Sequence, residues 1–253
     1  MKNQTTGLYR IADLCVKMTS IGRTAIQSEP YRLPAEQAQV CQPDFEISPD
    51  VGVYFQTKFP NTPAETCEYM ATGWAFYRAL VHYHGMLLHA SAVCVDGKAY
   101  LFTAPSGTGK STHTALWRKL LGERAVMLND DKPAIRILDG TAYAYGTPWS
   151  GKSDLNRNLR AELAGICVLE QAKQNEMARL SVGEALPLLL TQTVYSKEAA
   201  VTELFLQNLD ILLRKVPVWR LRCLPDLAAA ELSYRTMTEN ANRENAKKID
   251  GDF

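Results

Sequence analysis

The feature that most constrains this chain is the run Ala104-Pro105-Ser106-Gly107-Thr108-Gly109-Lys110-Ser111-Thr112, which joins the apolar segment KAYLFTA to the amphipathic HTALWRKLL. A glycine-lysine-hydroxyl run that leaves a strand and opens a helix predicts a phosphate cradle. Backbone N–H groups at the helix N-terminus face an anion, and the glycines reach backbone angles that other residues avoid. Lys110 can then reach the β and γ phosphates of a nucleotide while the Ser111 hydroxyl coordinates Mg²⁺. Ser106, Gly107, Thr108, Gly109, Lys110, Ser111 and Thr112 are therefore the expected nucleotide contacts. The usual pattern begins with glycine where this chain has Ala104, and the competing reading is a glycine-rich turn capping a helix.

The flanks of this loop predict a mixed sheet. MLLHASAVCV and KAYLFTA are short apolar runs joined by Asp96-Gly97, and KPAIRIL and TAYAYG are joined by Asp139-Gly140. Asp-Gly between apolar runs signals a hairpin, so antiparallel pairs bracket the loop, unlike the all-parallel sheet of ordinary P-loop proteins. The run AVMLNDD ends a further strand on Asp130 and Asp131. Two carboxylates there can hold Mg²⁺ and accept a proton from an incoming hydroxyl, although Asn and Asp also simply make turns.

His89 is expected in the strand before the loop, either as a functional imidazole or as a hydrogen-bonded core residue, and Ser91 shares its face. The segment Tyr145-Gly146-Thr147-Pro148-Trp149-Ser150-Gly151-Lys152 has the composition of a functional loop. In it Trp149 is expected as a lid or substrate platform and Lys152 as a charge over the transferred phosphate, against the alternative of a plain turn with a core indole. Strand alternation from Asp131 predicts that Lys132 or Arg136 points to the same cleft.

Elsewhere, residues 1–62 read as a small strand-rich region broken by prolines, 63–237 as the main domain, and 238–253 as a polar, mobile tail. Thr62-Pro63-Ala64-Glu65 has the form of a capping box, opening a helix to about His84 that buries Cys67, Met70, Trp74, Tyr77 and Val81. LAGICVL and PVWRLRC read as strands; 183–193, 197–215 and DLAAAELSYRTM read as helices.

Of the 253 residues, 46% are hydrophobic and 22% charged, with a formal charge of +1. This balance supplies no basic excess to attract nucleic acid or an anionic membrane, so neither is expected as a partner. No segment reaches the roughly 18 apolar residues of a membrane span. The first twenty residues lack the continuous apolar stretch of a signal peptide, and the spacing of the six cysteines matches neither a zinc knuckle nor a redox pair. A cytoplasmic location is expected.

Leu88-His89-Ala90-Ser91-Ala92 resembles the His-x-Ser strand of the phosphoenolpyruvate carboxykinases, SGTGKST resembles their nucleotide loop, and Asn129-Asp130-Asp131 resembles the paired aspartates that follow. Over residues 86–136, and more loosely to about 170, the chain is similar to the superfamily of HPr kinase/phosphorylase and phosphoenolpyruvate carboxykinase. The resemblance implies an α/β fold: a mixed-sheet P-loop kinase core with a small strand-rich N-terminal region and C-terminal helices. It implies ATP with Mg²⁺, or Mn²⁺, held by Lys110, Ser111 and an aspartate, with His89 near the metal or the transferred phosphate. Asp130 is then the proton-accepting base and Asp131 the metal partner, or the reverse. HPr kinases carry an acidic residue where this chain has Thr112 and a glycine-rich signature that it lacks, and carboxykinases are about twice as long. The likeness is therefore to the compact HPr-kinase-related proteins, and it allows a ring-shaped or dimeric homo-oligomer.

The expected activity is transfer of the γ-phosphoryl group of Mg·ATP to a hydroxyl of a protein, peptide or small-molecule acceptor, in which positioning and charge stabilisation do the work. The alternatives are a nucleotide-binding sensor or hydrolase without a phosphoacceptor, disfavoured as a GTPase because Asn156-Arg157-Asn158 does not make a guanine motif, and a carboxykinase-like enzyme.

Overall fold

In the computed structural model, which describes residues 4–194, 196 and 198–250 and the side chains among them as far as Glu239, the three glycine-poor or glycine-rich hairpins set the architecture. β5 (Ala90–Val95) and β6 (Lys98–Thr103) pair antiparallel with Val95 opposite Lys98, so Asp96 and Gly97 alone make the turn. β8 (Ala134–Leu138) and β9 (Thr141–Tyr145) repeat this around Asp139 and Gly140. All four turn residues have positive φ, as a two-residue turn matched to strand twist requires. A third such hairpin joins β1 (Thr5–Ile11) to β2 (Leu14–Ser20) through Ala12 and Asp13, with φ of 52° and 60°; no glycine marks it in the sequence.

Among the described residues, the main sheet has nine strands. β4 (Gly85–Leu87), β8, β9, β10 (Arg160–Gln171), β6, β5 and β7 (Ala125–Asn129) lie side by side in that order. The twelve-residue β10 is its axis: it runs parallel to β6 on one side, and on the other it pairs antiparallel with β9 over its first residues and parallel with β12 (Val218–Cys223) from Ile166 onward. β11 (Glu176–Arg179), which has no apolar alternation to announce it, is antiparallel to β12. The sheet is thus mixed, as the two Asp-Gly turns predicted. The run Met86–Val95, expected as one strand, is split, because β4 lies beside β8 whereas β5 lies between β6 and β7. Leu88 and His89 carry the chain across.

Successive side chains of β6 enter opposite cores, so both sheet faces are covered. Tyr100 and Phe102 pack with Trp117 of α5 (Lys110–Leu121) and with Ala230 and Met237 of α8 (Leu227–Asp250). Ala99 and Leu101 pack with Ala185 and Leu189 of α6 (Val182–Leu190) and with Phe205, Leu209 and Leu212 of α7 (Ala199–Lys215). Ser181 and Glu184 close a reciprocal capping box on α6. α8 continues as helix through Asp250, past Met237 where the apolar pattern stops.

The N-terminal region is less strand-dominated than its sequence suggests. A three-stranded sheet of β1, β2 and β3 (Phe45–Ile47) is interleaved with the short helices α1 (Gly22–Ser28), α2 (Ala35–Val40) and α3 (Asp50–Lys58). It packs on α4 (Ala64–Leu80) through a core that includes Tyr9, Val16, Met18, Phe76 and Leu80. α4 departs from expectation in two ways. Pro63 is its N-cap, with no side-chain cap bond, so the Thr62/Glu65 box does not form, and the helix ends at Leu80 in a 3-10 turn before left-handed His84. Met70 and Trp74 are 46% and 37% exposed, because this helix is apolar around most of its circumference and Cys67, Ala71, Phe76 and Leu80 take the buried face. Among the described residues, no helix is long and apolar enough to cross a membrane.

Candidate functional site

The loop between β6 and α5 takes the shape its glycines permit. Gly107 and Gly109 have φ of 82° and 119°, Thr108 N donates to Pro105 O, and Gly109 is the N-cap of α5. A glycine cap has no side chain to occupy the first-turn amides, which are left for another acceptor. Lys110, only 8% exposed, folds back over this loop: its Nζ donates to Ala104 O at 2.8 Å and to Pro105 O at 3.4 Å. Burial pushes its pKa below the ordinary value, against the opposing pull of Asp131 and Asp130.

Opposite the loop, β7 delivers its two carboxylates through Asn129. That side chain is fully buried; its Nδ2 donates to Thr147 O, and its Oδ1 accepts from Asp131 N at 2.9 Å and Lys132 N at 2.7 Å, fixing the turn. Asp130 Oδ1 accepts a 2.5 Å bond from the buried Ser91 hydroxyl. Asp131 lies beside His89, whose Nε2 is 3.2 Å from Asp131 Oδ1, while Lys132 Nζ donates to the other oxygen. Burial raises the Asp131 pKa, but the His89 hydrogen bond and the Lys132 charge outweigh it and hold the carboxyl below its ordinary range.

His89 reaches Asp131 because of the crossing between β4 and β5. Its N–H donates to Gln192 O and the following Ala90 N–H donates to Asp131 O, so the backbone itself is stitched to the aspartate turn. The imidazole is 34% exposed, which removes the reading of a core histidine.

A cleft of about 710 Å³ gathers these groups: His89, Ser106, Gly107, Gly109, Lys110, Ser111, Thr112, Asp130 and Asp131 all line it. Lys152 lines it too, from a 3-10 turn over Gly151–Ser153. That turn is held from behind by Arg23, whose guanidinium donates to Gly151 O and Asp154. Gly151 is required there, because its φ is +68° and a Cβ would stand 2.7 Å from Asp131 Cβ. Ser91 is marked in the sequence by its spacing two residues from His89, and Gly151 by its place in the glycine-containing loop before Lys152.

One expected placement is corrected. Trp149 is not a lid: it is 0% exposed, stacks 4.9 Å from Phe76, and donates from Nε1 to Thr72 Oγ1. A large apolar ring next to a proline packs inward when a helix face such as that of α4 is there to receive it. Thr108 lines a separate cavity of about 310 Å³ beside the loop, which it shares with Gly109, Thr112, His113, Leu116 and Leu224. Of the alternating pair Lys132 and Arg136, Lys132 meets Asp131, while Arg136 donates to Ala12 O and Tyr83 O.

No curated protein matches the chain. Among solved structures, the Hpr(Ser) kinase/phosphatase from Coxiella burnetii is similar at 14% identity, over 66% of this chain and 95% of that chain, with a TM-score of 0.37, too low to establish a shared fold. The family model for SynChlorMet cassette protein ScmC matches residues 60–226, a span that contains the whole cleft, and the chain therefore belongs to the ScmC family.

Proposed function

We propose that this chain is a Mg·ATP-dependent phosphotransferase that moves the γ-phosphoryl group to a hydroxyl of a protein, peptide or small-molecule acceptor in the cytoplasm, on a P-loop kinase core. The observation that carries this reading is the convergence, in one cleft, of a glycine-shaped loop at a helix N-terminus with Lys110, Ser111 and two carboxylates from a different strand. An anion-binding end and a proton-accepting end facing each other are what transfer to a hydroxyl requires.

In this mechanism the first-turn amides of α5 and the Lys110 ammonium bind the phosphates, the lysine exchanging its loop carbonyls for phosphate oxygens. Asp130 accepts the proton of the incoming hydroxyl, with Ser91 holding one of its oxygens. Lys152 adds positive charge at the rim. Ser111 and Asp131 offer hard oxygen ligands beside His89, a donor set that suits Mg²⁺ or Mn²⁺. Among the described residues no three His, Cys, Asp or Glu gather into a metal site, which is compatible with a cation bound by one or two protein oxygens and the substrate's phosphates. Bound Mg²⁺ would neutralise charge developing on the transferred group. The cavity at Thr108 and Thr112 offers room for a nucleoside next to the loop.

Calorimetric titration with Mg·ATP tests this reading. Wild-type protein should bind, Lys110→Ala should lose most of the affinity and all transfer of label from γ-labelled ATP to a fractionated lysate, and circular dichroism should be unchanged. Equal ATP affinity in a folded Lys110→Ala variant would mean that the loop is only a structural turn.

A further inference from the structure

A third cavity, of about 390 Å³, shares two walls with the cleft. One is the aspartate turn: Asp131 lines the cleft, and Lys132, the next residue, lines the cavity and pairs with Asp131. The other is the Tyr69–Gly151 contact, in which Gly151 lines the cleft and its N–H donates at 3.0 Å to the hydroxyl of Tyr69, a cavity residue.

The chemistry of the two spaces is opposite. The cavity is walled by Phe55, Tyr69, Met70, Trp74, Tyr77 and Trp149. Its polar atoms are engaged elsewhere: Tyr77 OH donates to Lys132 O, Trp149 Nε1 to Thr72, and Tyr69 OH accepts from Gly151. The Lys132 ammonium, the only charge in the lining among the described residues, is neutralised by Asp131. A ligand there meets ring faces, ring edges and a thioether, which attract an aromatic ring beyond the area it buries. The partial exposure of Met70 and Trp74, which a helix in a closed core would not show, is what opens the cavity to solvent.

We propose that this cavity seats an aromatic ring of the phosphoacceptor, anchoring it so that a hydroxyl a short distance along the same molecule enters the cleft at Asp130. The inference rests on the phosphotransferase reading above and adds to it the class of acceptor: a molecule carrying both an aromatic ring and a hydroxyl. Remote binding in such a pocket positions the reacting group, which is how binding energy away from the reacting atoms contributes to rate.

The test uses the full chain with γ-labelled ATP and two dipeptides, N-acetyl-Ser-Trp-amide and N-acetyl-Ser-Ala-amide, together with ligand-observed NMR on N-acetyltryptophanamide and N-acetylleucinamide. Wild-type protein should label the tryptophan dipeptide about tenfold faster than the alanine one and bind the tryptophan amide in preference to the leucine amide. Met70→Trp, which fills the cavity from an exposed position, and Val194→Glu, which sets a charge at its rim, should each remove both preferences, with ATP affinity measured alongside. Equal labelling of the two dipeptides, equal binding of the two amides, or a preference that survives both variants overturns the pocket while leaving the phosphotransferase reading intact. If neither dipeptide is labelled, the amides decide, and failure of the tryptophan amide to bind also overturns the pocket. Absence of ATP binding in protein that does bind the tryptophan amide overturns the phosphotransferase reading, and with it the acceptor role of the cavity.

Discussion

Ser91, fully buried on β5, donates a 2.5 Å hydrogen bond to Asp130 Oδ1 at the end of β7, and the same hydroxyl lies 2.8 Å from Thr114 Oγ1 on α5. The Ser91 proton goes to Asp130, and the single proton of Thr114 is shared between Ser91 and the carbonyl of Ser111, 3.1 Å away. The helix that begins at the glycine loop is thereby linked to the carboxylate on the opposite side of the cleft. Ser91→Ala should destabilise the protein by about 1–2 kcal/mol, since it leaves part of a half-buried carboxylate without its donor. Transfer should fall more than ATP affinity does. Denaturant melts and turnover on the same preparation measure both, and an unmoved midpoint would show that water replaces the hydroxyl without loss.

His89→Ala separates a cleft imidazole from a structural one. The His89–Asp131 pair is partly exposed, so its loss should cost less than about 1 kcal/mol of stability. Turnover should drop, and the relative response to Mn²⁺ and Mg²⁺ should change, because imidazole favours the softer ion. A marked fall in melting temperature with unaltered metal preference would remove His89 from the site.

Asp130→Asn should lower transfer by roughly 10²–10⁴ while barely affecting ATP affinity, since the amide keeps the shape of the base but not its basicity. Asp131→Asn should instead raise the Mg²⁺ concentration needed for activity. Full turnover in Asp130→Asn with loss in Asp131→Asn would exchange the two roles.

Two glycines should respond differently to alanine. At Gly146 a Cβ would stand 1.8 Å from Arg157 O and 2.7 Å from Leu128 O, both backbone atoms in a strand-loop crossing, so Gly146→Ala should fail to give folded protein. Gly151→Ala meets Asp131 Cβ at 2.7 Å, which rotation of the carboxyl does not move, so the 3-10 turn must shift away from the aspartates, and φ of +68° adds strain. It should fold with a loss of about 1–3 kcal/mol and impaired transfer. Equal expression and melting of the two variants would contradict this.

Glu68 supplies the pH dependence. Burial raises its pKa from 4.5 to about 7, despite hydrogen bonds from Thr24 and from Ile21 N that favour the anion. The folded state therefore holds this proton more tightly than the unfolded state, so the contribution is complete below pH 4.5 and is lost as pH rises from 4.5 through 7. Glu68→Gln mimics the protonated form. It should change stability little at pH 4.5 and raise it by on the order of 2–3 kcal/mol at pH 8. Parallel melting curves for the two proteins across that range would rule out a raised Glu68.

The parts of this protein that the sequence determines are those whose physics is local. Asp96-Gly97 and Asp139-Gly140 can turn only one way, so their hairpins, and hence the mixed sheet, are legible from dipeptides. The loop from Ala104 to Ser111 is legible because its glycines, lysine and hydroxyl must sit at fixed offsets from a strand end and a helix start. The Ala12-Asp13 turn is as tight but uses residues with no glycine signature, and β11 lacks an alternating pattern; both took shape only when neighbouring strands offered hydrogen bonds. Tertiary structure alone decided the site's internal contacts. His89 meets Asp131 because the chain leaves β4 at one edge of the strand order and enters β5, next to β7 at the other end, between residues 87 and 90, a path that periodicity cannot distinguish from one continuous strand. Trp149 went inward and Met70 and Trp74 outward for a related reason. An apolar side chain states that it can be buried, and only the shape of the surfaces that come to face it determines which ones are.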